Sequence, residues 1–154
     1  MARCVLLATC LLLGGLATAQ KITSFETAAE IAVLQPGGLR AEQSREHATD
    51  GQCSLKVTVT GSTKDSWPGL TYRPANKDLS QATVFAFDVF NPQDFPIALS
   101  FRLDDEAGKS EFSGAEIKPG PNKIELWLTA SRFNLDMKRM AKIYPYFRMP
   151  RRDF

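Results

Sequence analysis

Short stretches in which apolar and polar residues alternate constrain the fold of this chain more than any other feature. In residues 97–104 a large apolar side chain stands at every second position, from Ile97 to Leu103. A period of two is typical of a strand that buries one face and exposes the other. The pattern recurs at 54–60, 83–90, 124–128 and 143–149, and more weakly at 22–26, 39–43, 67–73 and 111–117. Turn residues separate these stretches, so the sequence predicts an all-β sandwich or barrel.

The predicted core consists of the apolar rows of these strands. Among them are Leu55, Val57 and Val59; Leu70 and Tyr72; Phe85, Phe87 and Val89; and Ile97, Leu99, Phe101 and Leu103. Because a shift of one residue would turn such a row into water, burial fixes the register of each strand. Helical composition is confined to a turn at Thr27–Ile31 and a short helix at Asp136–Lys142.

The first residues differ in kind from the rest of the chain. Arg3 precedes an almost wholly apolar run from Val5 to Leu16, and the small residues Ala17–Ala19 follow it. A positive start, an apolar run and an A-x-A exit predict a cleaved secretory signal peptide at residues 1–19. The run is shorter than the roughly 20 residues of a membrane span. We therefore expect a secreted or extracytoplasmic protein with one binding domain at residues 20–154.

Charge and cysteine content exclude several classes of function. Of the 19 basic side chains only Arg3 lies in the predicted signal peptide, which leaves 18 against 17 acidic ones. A nearly neutral chain lacks the basic face that a nucleic-acid binder needs. Cys53 is the one cysteine after residue 19, so neither an internal disulfide nor a thiolate zinc site can form. We interpret it as a small strand residue rather than a nucleophile paired with His47, the one histidine.

The sequence also lacks the motifs of catalysis. It contains no G-x-S-x-G elbow and no H-E-x-x-H helix. The acidic run Asp104–Glu106 is the obvious carboxylate cluster, but neighbouring strand residues face opposite ways and the run enters a turn. We interpret it as a solvated loop, with a calcium contact or a partner for sugar hydroxyls as the alternatives. The chain is predicted not to be an enzyme.

Binding chemistry is better supplied. Sugars present flat C–H faces and a rim of hydroxyls, which exposed aromatic rings and planar polar side chains can hold. If the strands concerned share a sheet, one face carries the predicted carbohydrate-binding residues Trp67, Asp88, Arg102, Asp104, Tyr144, Tyr146 and Arg148. The alternatives are cross-strand ion pairs for the Asp and Arg side chains and core or edge positions for the tyrosines. Trp127 is a second candidate ring, on the opposite sheet.

Several segments resemble galactose-binding-like β-sandwich modules in their order and spacing. The matching segments are Ile22-Thr23-Ser24-Phe25-Glu26, His47 to Val57 (HATDGQCSLKV), Phe87 to Pro92 (FDVFNP), Phe101 to Asp105 (FRLDD), Lys118 to Ile124 (KPGPNKI), and Leu135-Asp136-Met137 with Ile143. The resemblance implies a jelly-roll antiparallel sandwich of the carbohydrate-binding-module type. Such modules are non-catalytic and often precede glycoside hydrolase domains, as in agarase-like and galactosidase-like enzymes.

The resemblance also implies two features of the mature domain. Many such modules hold a structural calcium ion, and Glu26 is the position that would contribute a carboxylate. They close with a final strand that should begin near Arg151–Phe154, so either this domain lacks its last strand or the sequence is a fragment of a longer one. The predicted function is a non-catalytic carbohydrate-binding module that binds a polysaccharide or oligosaccharide, accessory to a polysaccharide-degrading enzyme. The alternatives are a sandwich that packs on another domain or protein, and the N-terminal part of a glycoside hydrolase with a downstream catalytic domain.

Overall fold

Two five-stranded antiparallel sheets form the described part of the molecule. The computed structural model describes residues 4–7 as backbone, and residues 21–61, 65–129, 131, 134–148 and 152–154 with side chains. The elements in chain order are β1 (Cys4–Leu7), α1 (Ala28–Ala32), β2 (Leu34–Gly37), β3 (Arg40–Ser44), β4 (Ser54–Thr58), β5 (Gly69–Tyr72), β6 (Val84–Asn91), β7 (Ile97–Asp105), β8 (Ser110–Ile117), β9 (Gly120–Trp127) and β10 (Met140–Phe147). The first sheet has the order β3-β4-β1-β6-β9 and the second the order β2-β5-β10-β7-β8.

The predicted all-β sandwich and its inward rows are confirmed. Every large apolar side chain of the β7 row, from Ile97 to Leu103, is at most 4% exposed. Phe87 of the first sheet meets Phe101 of the second with ring centroids 6.0 Å apart, so the two rows interdigitate across the interior. Each buried side chain of this size stabilises the fold by about 1.5–3 kcal/mol. Tyr72 packs against this core from a partly buried position.

Two local predictions are wrong. Residues 22–26 form no strand, because Phe25 takes a left-handed backbone conformation (φ 63°) and its amide donates to the Thr23 hydroxyl. Residues 136–142 form no helix: a turn closes between Asp136 and Arg139, and β10 begins at Met140. The predicted turn at 27–31 is a short helix, α1, whose Thr27 and Glu30 cap each other's backbone groups.

Pro145 lies inside β10, between β5 and β7, where a proline is unusual. The β7 side of β10 pairs continuously from Lys142 to Phe147, whereas the β5 side pairs only through Ile143 and Tyr146. Pro145, which has no N–H to donate, therefore lies where β10 and β5 are not paired.

β1 is the described part of the predicted signal peptide, and the rest of residues 1–20 lies outside the described residues. Its backbone pairs with β4 on one side and β6 on the other. The cleavage of this segment stays a prediction. Among the described residues no helix is long and apolar enough to cross a membrane.

Candidate functional site

Aromatic side chains collect on the outer face of the second sheet. Tyr144 and Tyr146 alternate outward along β10, and their rings stack 5.4 Å apart. Trp67, which precedes β5, meets Tyr146 edge-on at 5.7 Å and is 41% exposed. The Arg148 guanidinium lies over the indole at 5.5 Å. We call Trp67, Tyr144 and Tyr146 the aromatic platform; it offers apolar ring surface with a cation at its rim.

A glycine makes this arrangement possible. Gly69 of β5 is in register with Tyr146, and a Cβ atom built on it would lie 2.8 Å from the Tyr144 ring and 2.5 Å from the Pro145 carbonyl oxygen. The Tyr144 ring can therefore lie over the backbone of β5. Its hydroxyl donates a hydrogen bond to the carbonyl oxygen of Trp67. The platform is thus fixed from β5 and β10 together.

A charged cluster continues the same face beside the platform. The Asp104 carboxylate accepts hydrogen bonds from Arg102 Nε at 2.7 Å and from Ser110 Oγ at 2.7 Å. Lys142 Nζ lies 2.9 Å from its other oxygen, and the ammonium also lies over the Tyr144 ring at 5.6 Å. Burial alone would raise the pKa of Asp104, but the bonds from Lys142, Arg102 and Ser110 outweigh it and hold that pKa below its usual range. The Arg102–Asp104 pair therefore lies within β7, whereas the bonds from Ser110 and Lys142 tie β7 to β8 and to β10.

The structure brings most of the predicted site residues together and separates Asp88 from them. Asp88 lies on β6 in the first sheet, where its Oδ2 accepts a hydrogen bond from the Thr49 hydroxyl at 2.9 Å. It lines a surface cavity of about 520 Å³ together with His47 and Lys123. The His47 ring stacks on Phe90 with centroids 3.6 Å apart at this cavity. Asp88 is therefore outside the aromatic platform.

Sequence reasoning missed two members of this face. Phe112 of β8 is in register with Arg102 and is 61% exposed, and the Arg102 guanidinium lies over its ring at 5.8 Å. Lys142 belongs to the helix predicted at residues 136–142, but it lies in β10, in register with Asp104. If β7 and β8 are treated as a hairpin, the sequence predicts that Phe112 lies beside Arg102, and this pairing identifies Phe112 as a member of the face. Trp127 is also 61% exposed, but it lies on β9 of the first sheet.

Glu26 has a structural role at a turn. Its Oε1 accepts hydrogen bonds from the amides of Gln52 and Cys53, at 2.8 and 2.9 Å. These bonds, the Cys53 amide first, lower the pKa of Glu26. In the part of the chain with described side chains, no group of three or more His, Cys, Asp or Glu residues is placed to hold a metal ion. The calcium ion that the resemblance implies therefore stays a prediction without a donor cluster to support it.

The groups considered for catalysis have other roles. Burial, followed by the nearby Glu26 carboxylate, raises the pKa of the Cys53 thiol, which opposes formation of the nucleophilic thiolate. Asp105 is 3% exposed and accepts hydrogen bonds from the amides of Lys109 and Asp136. Glu106 forms ion pairs with Lys77 and Arg139. The acidic run is thus a set of structural contacts rather than a solvated loop.

Solved structures with a similar fold come from agarases. A structure described as an exo-beta-agarase superposes with a TM-score of 0.70 at 17% identity, and the match covers 85% of this chain and 22% of that one. The agarase AgWH50C gives a TM-score of 0.67 at 14% identity, covering 84% and 22% of the two chains. The fold is shared with part of two agarases.

PfGH50B matches with a TM-score of 0.60 at 17% identity over 78% of this chain and 20% of its own. The chain therefore spans about a fifth of the length of each of these proteins. No protein-family model matches the sequence, and a search of curated proteins finds no significant relative. At these identities the likeness establishes the fold alone.

Proposed function

We propose that this chain is a secreted, non-catalytic carbohydrate-binding module that holds a neutral polysaccharide on the aromatic platform. The observation that carries the proposal is the set of three exposed or half-exposed rings, Trp67, Tyr144 and Tyr146, fixed side by side on one sheet face. Pyranose rings expose C–H faces that pack on aromatic surface. Arg148 and Lys142 supply donors for sugar hydroxyls at two edges of the platform.

The wider context of the proposal comes from the likeness to enzyme structures. A sandwich that matches about a fifth of an agarase chain has the size of an accessory domain. We propose further that the domain spans residues 20–154, follows a signal peptide at residues 1–19 and belongs to the galactose-binding-like class. Its polysaccharide would be a substrate of a catalytic domain on the same or a partner chain.

Affinity electrophoresis against a panel of neutral polysaccharides that includes agarose tests the proposal. Trp67 exposes about 100 Å² if its side chain has about 250 Å² of surface, and a ligand that covers half of this area gains about 1.2 kcal/mol. Trp67→Ala should therefore weaken binding about sevenfold. Trp127→Ala removes an equally large and more exposed ring from the other sheet and should leave the retardation unchanged.

One observation supports the alternative that the sandwich packs on another domain: its exposed apolar surface is broad. Phe112, 61% exposed, extends the second sheet's face two strands beyond β10. A face that packs on a neighbouring domain would give no retardation on any polysaccharide gel. In that case the sandwich should instead bind a catalytic domain added separately, and Phe112→Ala should weaken that binding.

A further inference from the structure

β8 is the edge strand that is least protected against pairing with another chain. The described sheets have four edge strands, β2, β3, β8 and β9. Pro36 lies in β2, Arg40 in β3, and Pro121 and Lys123 in β9, and residues of these types discourage edge-to-edge pairing. β8 contains no proline and no basic residue, and its ladder with β7 runs over all eight residues without a register shift. It therefore presents a long and regular strand edge.

Alternate residues of β8 point their backbone groups away from β7. The Asp105 amide donates to the Lys109 carbonyl oxygen at 3.1 Å, so these two residues form a hydrogen-bonded pair. Such pairs alternate with non-hydrogen-bonded pairs along an antiparallel ladder. The N–H and C=O groups that point away from β7 are accordingly those of Ser110, Phe112, Gly114 and Glu116. Among the described strands β8 pairs with β7 alone, so these groups line the outer edge of the sheet.

The side chains at this edge are complementary to themselves. Phe112 is 61% exposed on the outer face, and a Cβ atom built on Gly114 would meet only the Leu99 carbonyl oxygen, at 3.4 Å. If β8 of a second copy pairs antiparallel about Ser113, Phe112 of each copy lies opposite Gly114 of the other. The two Phe112 rings are then diagonal neighbours, which is within reach of aromatic side chains. Each copy thus supplies both a ring and the open position that receives a ring.

Charge supports the same register. Pairing about Ser113 places Glu116 of one copy, which is exposed, opposite Ser110 of the other. Arg102 Nη2 donates to the Ser110 hydroxyl at 3.2 Å. The cluster around this hydroxyl holds two cations against one carboxylate, those of Arg102, Lys142 and Asp104. The Glu116 carboxylate of each copy therefore approaches a cluster with a net positive charge on the other.

We propose that the outer edge of β8 is a dimerisation surface whose occupant is β8 of a second copy of this chain. The two strands pair antiparallel about a two-fold axis at Ser113 and join the second sheets of both copies into one continuous sheet. Phe112 exchanges backbone hydrogen bonds with Gly114 of the other copy, and Ser110 does so with Glu116. Because one strand edge and two rings make a small interface, we expect association at micromolar or higher concentration.

Sedimentation velocity of the full chain over a concentration series measures this association. Gly114→Pro removes an N–H that points away from β7, so it should abolish the dimer and preserve the β7 ladder, which circular dichroism verifies. Phe112→Ala removes the ring. Phe112 exposes about 120 Å² if its side chain has about 200 Å² of surface, and covering half of this area on both copies should make the parent dimer about a hundredfold tighter than the variant.

Trp127→Ala is the matched control for the ring. It removes an equally exposed aromatic side chain from β9 of the first sheet, and the association should stay unchanged. A parent that remains monomeric up to about 500 µM would overturn the proposal, as would a Phe112→Ala protein that dimerises as tightly as the parent.

Disulfide cross-linking tests the register, in a chain whose native cysteines are replaced by alanine. Ser113→Cys places two thiols opposite each other at the two-fold axis, in a non-hydrogen-bonded pair whose Cα atoms lie about 4.5 Å apart. Ala115→Cys is the matched control on the same face of β8, and its two copies lie four residues, or about 13 Å, apart along the strands. Mild oxidation should link the Ser113→Cys protein into dimers and leave the Ala115→Cys protein monomeric. Equal linking of both proteins, or faster linking of the Ala115→Cys protein, would contradict the proposed pairing.

Discussion

Gly69→Ala is the substitution that links the fold to the aromatic platform most closely. The added Cβ would meet the Pro145 carbonyl oxygen at 2.5 Å, Tyr146 Cβ at 2.7 Å and Tyr144 Cε2 at 2.8 Å. Two of these contacts involve atoms fixed by the backbone, so β5 and β10 must separate locally. Overpacking of this kind costs about 1–3 kcal/mol, and we expect a loss of about 2 kcal/mol in the free energy of unfolding. For a domain of this size that lowers the melting temperature by about 6–10 °C.

Differential scanning calorimetry measures the stability change, and polysaccharide affinity measures the effect on the platform. Because the Tyr144 ring must leave its place over β5, affinity should fall together with stability. Gly114→Ala is the matched control: it lies in β8 of the same sheet, and its Cβ would meet only the Leu99 carbonyl oxygen, at 3.4 Å. If Gly69→Ala melts within about 1 °C of the parent, or if both variants lose equal stability, the reasoning from close contacts is wrong.

Two further predictions concern charge and core. Asp104→Asn should lower the free energy of unfolding by about 1 kcal/mol at pH 7. Hydrogen bonds from Lys142, Arg102 and Ser110 hold the native pKa of Asp104 below its ordinary 3.8 despite burial. The stability difference between the parent and Asp104→Asn should therefore be complete above about pH 3.8 and vanish as the pH falls through the native pKa. Urea unfolding between about pH 2 and 7 measures this difference, and a difference that grows in acid would contradict the prediction. Phe87→Ala, at a ring that is 2% exposed, should cost about 3–5 kcal/mol, whereas Phe112→Ala should change stability by less than about 0.5 kcal/mol. Comparable denaturation midpoints for these two variants would refute the assignment of inward and outward rows.

The alternation of residue types determines which face of a strand is buried, but not which sheet the strand joins. Asp88 and Arg102 both point outward, as predicted, yet β6 pairs with β9 while β7 pairs with β8 and β10. The chain changes sheets in the short loop between β6 and β7, and no local signal marks the change. The sequence therefore predicted the rows of the sandwich and left the grouping of its site residues open.

Local hydrogen bonds explain the errors near the N-terminus. Residues 22–26 have the composition of a strand, but Thr23, Ser24 and Thr27 bond within the segment or to Glu30. Side chains of this kind satisfy the backbone locally and compete with pairing to another strand. At residues 136–142 hydrogen bonds to distant residues compete with a helix. The Asp136 amide donates to the Asp105 carboxylate and the Met140 amide donates to the Lys77 carbonyl oxygen. Spacing along the sequence does not reveal these bonds.

Tryptophan fluorescence locates the ligand most directly, because the two tryptophans lie on opposite sheets. Trp127→Phe leaves Trp67 as the sole indole, and Trp67→Phe leaves Trp127. Titration with a polysaccharide that retards the parent protein should shift the emission of the Trp127→Phe protein and leave that of the Trp67→Phe protein unchanged. A shift confined to the protein that retains Trp127 would contradict the assignment of the binding face.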